Sequence, residues 1–207
     1  MTKAEIITKF HLYMDDTTEL SSQEEQDLFD KIYLQVMSDR PWEICRVPFN
    51  GTMSTTVPYI ALPSDFAFLL ENHNYTGNNS YGERPVIFVG TAYSPYEVVN
   101  YADRRQYLNK TGYAYIDIVN SRLVFTAQPT VAEPVEFDYC KVPASLLTTE
   151  SPIFPARFHD IIYHGMCTDQ YVIDQSDKAK SYRNENIARY NDYLGQMALW
   201  NANLQQI

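Results

Sequence analysis

Apolar residues recur at three- and four-residue steps in four stretches of the chain, and each recurrence predicts a helix. In the first, Lys3 to Met14, the buried side is expected to be Ile6, Ile7, Phe10 and Tyr13. Asp15-Asp16-Thr17-Thr18 breaks that run. The second starts at Ser21, and Glu24 three residues on completes a capping box. Glu24, Glu25 and Asp27 then fall in the first turn, where the positive end of the helix dipole favours carboxylates. Leu28, Ile32 and Val36 mark its inner face, and Pro41 ends it, because the residue before a proline is biased out of helix. The third opens near Pro155, placed where a first-turn proline has no N–H to miss, with Phe158, Ile161, Ile162 and Met166 on one face. After a polar joint near Asp174 and Ser176 the pattern resumes as Ala179, Tyr182, Ile187, Tyr190, Leu194 and Met197, then Trp200 and Leu204. This last helix is roughly 27 residues, about 40 Å at the standard rise. A seam running to the end of a chain needs a surface to lie against, either the chain's own helices or a neighbouring subunit.

Between Trp42 and Lys141 the pattern changes to short Val-, Ile-, Phe- and Tyr-rich runs punctuated by Pro and Gly, which predicts about six strands. They are Trp42 to Phe49, Tyr59 to Leu62, Pro85 to Val89, Tyr113 to Ile118, Arg122 to Thr126 and Val135 to Lys141. Val119-Asn120-Ser121 reads as a hairpin turn. In the last run Val135, Phe137 and Tyr139 alternate with Glu136, Asp138 and Cys140, as in a half-buried strand. Asn72 to Gly82 is a polar loop without periodicity. The expected fold is α+β, a helical bundle built from both ends with an inserted, mainly antiparallel β domain. Its expected segments are 1–41 for the N-terminal helices, 42–150 for the β-rich domain, and 151–207 for the C-terminal helices and a docking arm. Trp42 is the expected core residue at the junction.

Charge narrows the function. The 207 residues carry 16 basic and 26 acidic side chains, net −10, which argues against ordinary nucleic-acid affinity. It is compatible with a wall that DNA slides past. Residues 1–30 hold eight acids against two lysines, so Asp15, Asp16, Glu19, Glu24, Glu25 and Asp27 are candidates for such a wall, the alternative being a solvated helix face. Seventeen tyrosines suit either interfaces or strands. Cys45, Cys140 and Cys167 form no pairing pattern and read as buried, reduced thiols. No secretory leader or membrane anchor is expected from the apolar runs.

Chemistry is sparse. His159 and His164 are five positions apart, about 140° around one helix, so they do not share a metal. Cys167 and His164 lie three apart, a spacing that arises by accident more often than as a nucleophile pair. No zinc motif or phosphate-cradling glycine loop occurs, so no catalytic residue, metal or cofactor is expected.

Asp39-Arg40-Pro41-Trp42-Glu43 after an acidic capped helix, Leu62-Pro63-Ser64-Asp65-Phe66, and Phe154-Pro155-Ala156-Arg157-Phe158 opening the last helices together resemble the head-to-tail connector, or adaptor, proteins of tailed bacteriophages. The order of elements is similar to the tail tubular protein A, or adaptor, of short-tailed phages. The resemblance implies a virion protein at the head–tail junction, assembled in the host bacterial cytoplasm. It implies a homo-oligomeric, usually dodecameric ring beneath the portal protein, bound to a tail or nozzle protein, with DNA in transient passage. Met197, Trp200, Leu204 and Ile207 are the expected contacts to a neighbour or to portal, because residues 176–207 carry four basic and three acidic side chains and so repel a copy least. Readings of another class are a tail-associated cell-wall hydrolase and a sugar-binding tail module.

Overall fold

The structure, a computed structural model, describes residues 1–14, 20–70, 85–170 and 177–204. The Asn72 to Gly82 loop, the joint at Asp174 and Ser176, and Asp15, Asp16, Glu19 and Ile207 lie outside the described residues.

Four α-helices form, α1 (Lys3–Met14), α2 (Ser22–Ser38), α3 (Asp160–Gln170) and α4 (Asp177–Leu204). The capping box at α2 is closed in both directions: Ser21 Oγ accepts from the Glu24 amide, and the Glu24 carboxylate accepts from the Ser21 amide at 2.8 Å. The α2 seam keeps the expected Ile32 and Val36 and is broadened on one side. Phe29, Ile32, Tyr33, Val36 and Met37 are buried while Leu28 is only half-buried, because turning two aromatic rings inward removes more apolar surface than one leucine. In α1, Ile6 and Phe10 are buried, Ile7 is half-buried, and Tyr13 rests edge-on against Tyr163 at 5.4 Å. Pro155 does not open α3. It precedes a 3-10 turn, Ala156–Phe158, and the α-helix begins at Asp160.

The chain divides into two compact units, Met1–Ile44 with Pro143–Ile207, and Cys45–Val142. Residues 143–150 go with the helices because they satisfy the open N-terminus of α1: the Lys3 and Ala4 amides donate to Glu150 O and Thr148 O at 2.8 and 3.0 Å. In this helical unit α3 is the middle element. A Cβ on Gly165 would stand 2.5 Å from Ile32 Cγ2 and 3.2 Å from the Tyr190 ring, so only glycine lets α2, α3 and α4 approach this closely.

The other unit has eight strands: β1 (Arg46–Thr52), β2 (Tyr59–Ala61), β3 (Phe66–Leu69), β4 (Val86–Val89), β5 (Ser94–Val99), β6 (Tyr113–Asp117), β7 (Arg122–Phe125) and β8 (Pro134–Lys141). The sheet runs β1-β8-β4-β5-β6-β7-β2, with β3 also on β8. One edge of β8 pairs β1 along its length, from Arg46↔Cys140 to Thr52↔Pro134. Its other edge is shared, Val135 and Glu136 with β4, and Tyr139 to Lys141 with β3. Ile87, Val89, Leu123, Phe125, Val135 and Phe137 fill the interior. The expected alternation in β8 holds at Val135, Phe137 and Tyr139, and Cys140 is buried as well.

The expected fold class is corrected by this architecture. The molecule is mixed α/β, 43% helix and 23% strand, with an eight-stranded near-barrel sheet, and is not a helical bundle carrying a small inserted β domain. Two strands beyond the expected six, β3 and β5, give the sheet its own curved interior. Its strand pairings are antiparallel except for β5 and β6, which pair in parallel from Glu97↔Tyr113 to Val99↔Tyr115. Adjacent parallel strands need a crossover of a dozen or so residues, usually helical. Here residues 100–112 cross over with one 3-10 turn, Arg104–Tyr107, and reverse direction through positive φ at Asn109 (62°) and Gly112 (87°).

Candidate functional site

The histidines and the thiol that sequence spacing brings together are structural. His164 is buried, with Nδ1 2.7 Å from Asn186 Oδ1. The Asn186 amide nitrogen donates to Tyr182 O, which leaves Oδ1 as acceptor and puts the His164 proton on Nδ1. His159 Nε2 donates to the Phe154 carbonyl at 2.9 Å, and its Nδ1 faces the Met1 amine at 2.9 Å. Burial, more than any neighbour, lowers the pKa of both rings. Burial also pushes the Cys167 thiol up to about 12, the opposite of an activated nucleophile. Cys45 and Cys140 are buried free thiols, and the pKa of Cys45 is raised by its hydrogen bond to Cys140 and by burial. Among the described residues no group of three or more His, Cys, Asp and Glu is arranged to hold a metal ion, and no helix is long and apolar enough to cross a membrane.

The acidic candidates separate by exposure. Glu24 and Asp27 point to solvent. The Ser21 side chain, then its amide, lowers the pKa of Glu24. Glu25 instead turns inward, 5% exposed, and pairs with His11. It is one heptad member of the same seam as Phe29 and Ile32, so it is spent on packing α1 against α2 rather than on a surface field.

Trp42 is fully buried and belongs to the helical unit. Its indole N–H donates to Val36 O at 2.8 Å, a carbonyl in the last turn of α2 that also accepts from the Asp39 amide at 3.4 Å. The Arg40 guanidinium lies over its ring at 5.3 Å. The expected strand from Trp42 therefore starts later, after the 3-10 turn Glu43–Cys45, at Arg46.

At the end of α4 the seam turns inward. Met197 is 0% exposed within the described chain, so a neighbour has no access to it. Trp200 is half-buried against Phe158, ring centroids 5.7 Å apart, and Leu204 is half-buried too. Between them Asn201 is buried, its Oδ1 accepting from the Glu43 amide at 2.7 Å. The side chain left in solvent is Leu199, 70% exposed, one the periodic reading did not single out.

The expected hairpin turn at Val119-Asn120-Ser121 forms between β6 and β7, and the feature the sequence reading missed is the exposed apolar pair at its tip. Ile118 and Val119 are 77% and 91% exposed. Turns ordinarily carry Gly, Pro, Asn, Asp or Ser, so two consecutive aliphatics at a turn were the available signal. The turn around them is firmly built. The Asp117 carboxylate accepts from both the amide and the side chain of Asn120, and this is the main reason its pKa is lowered. Ser121, at φ 50°, donates to Ile118 O, and its own carbonyl accepts from Leu62. At the root of the same hairpin a pocket of about 220 Å³ opens, floored by Met53, Tyr96 and Phe125 and walled by residues 127–131 and Glu133.

Compared with known families, residues 1–206 match the family described as SU10 adaptor protein. No curated protein matches the chain.

Proposed function

The chain belongs to the SU10 adaptor protein family, structural components of phage virions that associate with other phage proteins, and from that premise we propose that it forms the head-to-tail adaptor ring beneath the portal. The observation that carries this reading is the family match over residues 1–206. The ring is dodecameric, seats on the portal protein on one side and receives a tail or nozzle protein on the other. It assembles in the host bacterial cytoplasm. DNA passes through its lumen during ejection.

Charge supports a passage role. A net charge of −10, with Glu24 and Asp27 at the surface, repels phosphate over the roughly 8 Å reach of charges at physiological salt. A DNA-lining wall that repels keeps the genome from sticking. The use of His159, His164 and Cys167 as buried packing groups supports a structural rather than a chemical role. Leu199, with the exposed parts of Trp200 and Leu204, supports contact with portal at the end of α4, and Met197 underpins that end from inside.

The test is negative-stain imaging of the purified chain with its portal protein. The expected images are closed rings seated coaxially on portal. A chain that stays single-copy with and without portal overturns the reading.

A further inference from the structure

We infer that successive copies of the chain join head to tail through the β6–β7 hairpin, the Ile118–Val119 tip of one copy seating in the pocket at the root of the same hairpin in the next. This rests on the ring reading above and names the residues that make the ring.

The knob is two aliphatic side chains held in solvent, 77% and 91% exposed, on a turn with little freedom. The Asp117–Asn120 hydrogen bonds and the Leu62 amide on Ser121 O fix it before any partner arrives. Pre-organisation of this kind lowers the entropy lost on binding. Isolated apolar residues on a surface need no explanation, but an adjacent pair on a rigid projection costs solvation in the free chain and gains only when covered.

The hole is large enough for the knob and has an apolar floor, with Thr111, Gln128, Thr130 and Glu133 among its walls. Its volume, about 220 Å³, exceeds the roughly 150 Å³ of an engineered apolar cavity that admits benzene, so branched aliphatic groups fit. Met53 and Phe125 are buried in its floor, and Val131 stands at its rim, 61% exposed. Burial, and next the nearby Glu133 carboxylate, raise the pKa of the Tyr96 phenol in the floor, in keeping with a partly desolvated site.

Position limits the modes of association. Asp117↔Arg122 closes the ladder at the tip, and Tyr113 and Phe125 stand at its root, about 13 Å away along β6. Two copies can exchange knob and hole reciprocally about a two-fold axis or pass them on head to tail, and the ring reading selects the second. Head to tail is a heterologous contact, which closes into a ring when the rotation per subunit permits and otherwise grows a filament. Charge at the tip does not oppose the contact. Residues 118–121 are uncharged and the flanking Asp117 and Arg122 face each other, so the tip brings no net charge against a copy of a chain of net −10.

The experiment uses the full chain under the conditions, with portal if required, in which the wild type assembles. Cys45, Cys140 and Cys167 are buried, so surface cysteines report cleanly. On oxidation the double variant Val119→Cys with Val131→Cys is expected to give a ladder of disulfide-linked dimers, trimers and longer chains, and either single variant nothing beyond a dimer. Separately, Ile118→Asp with Val119→Asp removes the knob, and Ala127→Trp or Val131→Asp blocks the hole. Each is expected to stay single-copy with an unchanged melting temperature, and a mixture of knobless and blocked chains to stop at dimers. Assembly without a ladder, or normal rings from both variants, overturns the inference and leaves the adaptor reading intact. Knobless rings that no longer hold portal or tail protein also overturn it, assigning the knob to that partner. A wild type that never assembles overturns both.

Discussion

The seam at the end of α4 and the tip of the β6–β7 hairpin are both apolar, and they have opposite fates. Met197 belongs to a periodic helical face and is wholly covered by its own chain, while Ile118 and Val119 lie where a strand run gives way to a turn and stand in water. Periodicity reports that a face is apolar. It does not report whether the chain already covers it. A helix face recurs over several turns and can recruit its own neighbours, as α4 does with Phe158 and with Asn201 on Glu43. A two-residue tip has no repeat and nothing of its own to fold against. For a chain that assembles, the apolar residues at turns are thus the better pointers to partners.

Substitution separates the two most sharply. Met197→Ala is expected to cost about 2–5 kcal/mol, the range for emptying a packed core site. Val119→Ala should stay within about 0.5 kcal/mol, as for other exposed positions. Urea denaturation of both variants decides this, and equal losses would place the two sites in the same class. Next in size is Gly165→Ala, whose added methyl meets Ile32 Cγ2 at 2.5 Å. Overpacking of this kind costs typically 1–3 kcal/mol, and an unchanged melting temperature would show that α2 and α3 have room to part.

The buried histidines extend the contrast to pH. Their folded pKa values lie below the ordinary 6.5, so the unfolded chain takes up protons first as pH falls. Stability is therefore complete above about pH 6.5 and declines below it, by at most about 1.4 kcal/mol per pH unit for each ring. His164→Gln should remove one ring's share of that slope in chemical denaturation between pH 7 and 5, and an unaltered slope would contradict the assignment. The knob carries no titrating group and should be indifferent over the same range. Among the destabilising changes the mildest expected is Ser21→Ala, which opens the α2 cap and costs about 1 kcal/mol by thermal melting. No measurable change there would mean Glu24 holds the turn alone.

Several of these features were legible in the residues. Ser21 and Glu24 announce their cap because the interaction is local, three residues apart. The alternation in β8 is legible for the same reason. The strand β5 was not, because Ser94 and Pro95 open it and its parallel partner β6 is reached by a crossover without a helix. The inward turn of Glu25 and Met197 was not either, since each depends on elements distant in the chain, His11 for one and the packed helices for the other. Among the expected site residues, Trp42 was legible as core from its size, but its hydrogen bond to Val36 O depends on where α2 stops.

The most direct measurement is native mass spectrometry of the wild-type chain, alone and with its portal protein, over a range of concentrations. A closed adaptor ring gives one discrete multiple of the chain mass, expected to be the dodecamer, and the Ile118→Asp, Val119→Asp variant gives the single chain. A single-copy wild type under every condition, or an open series of sizes that never closes, contradicts the ring.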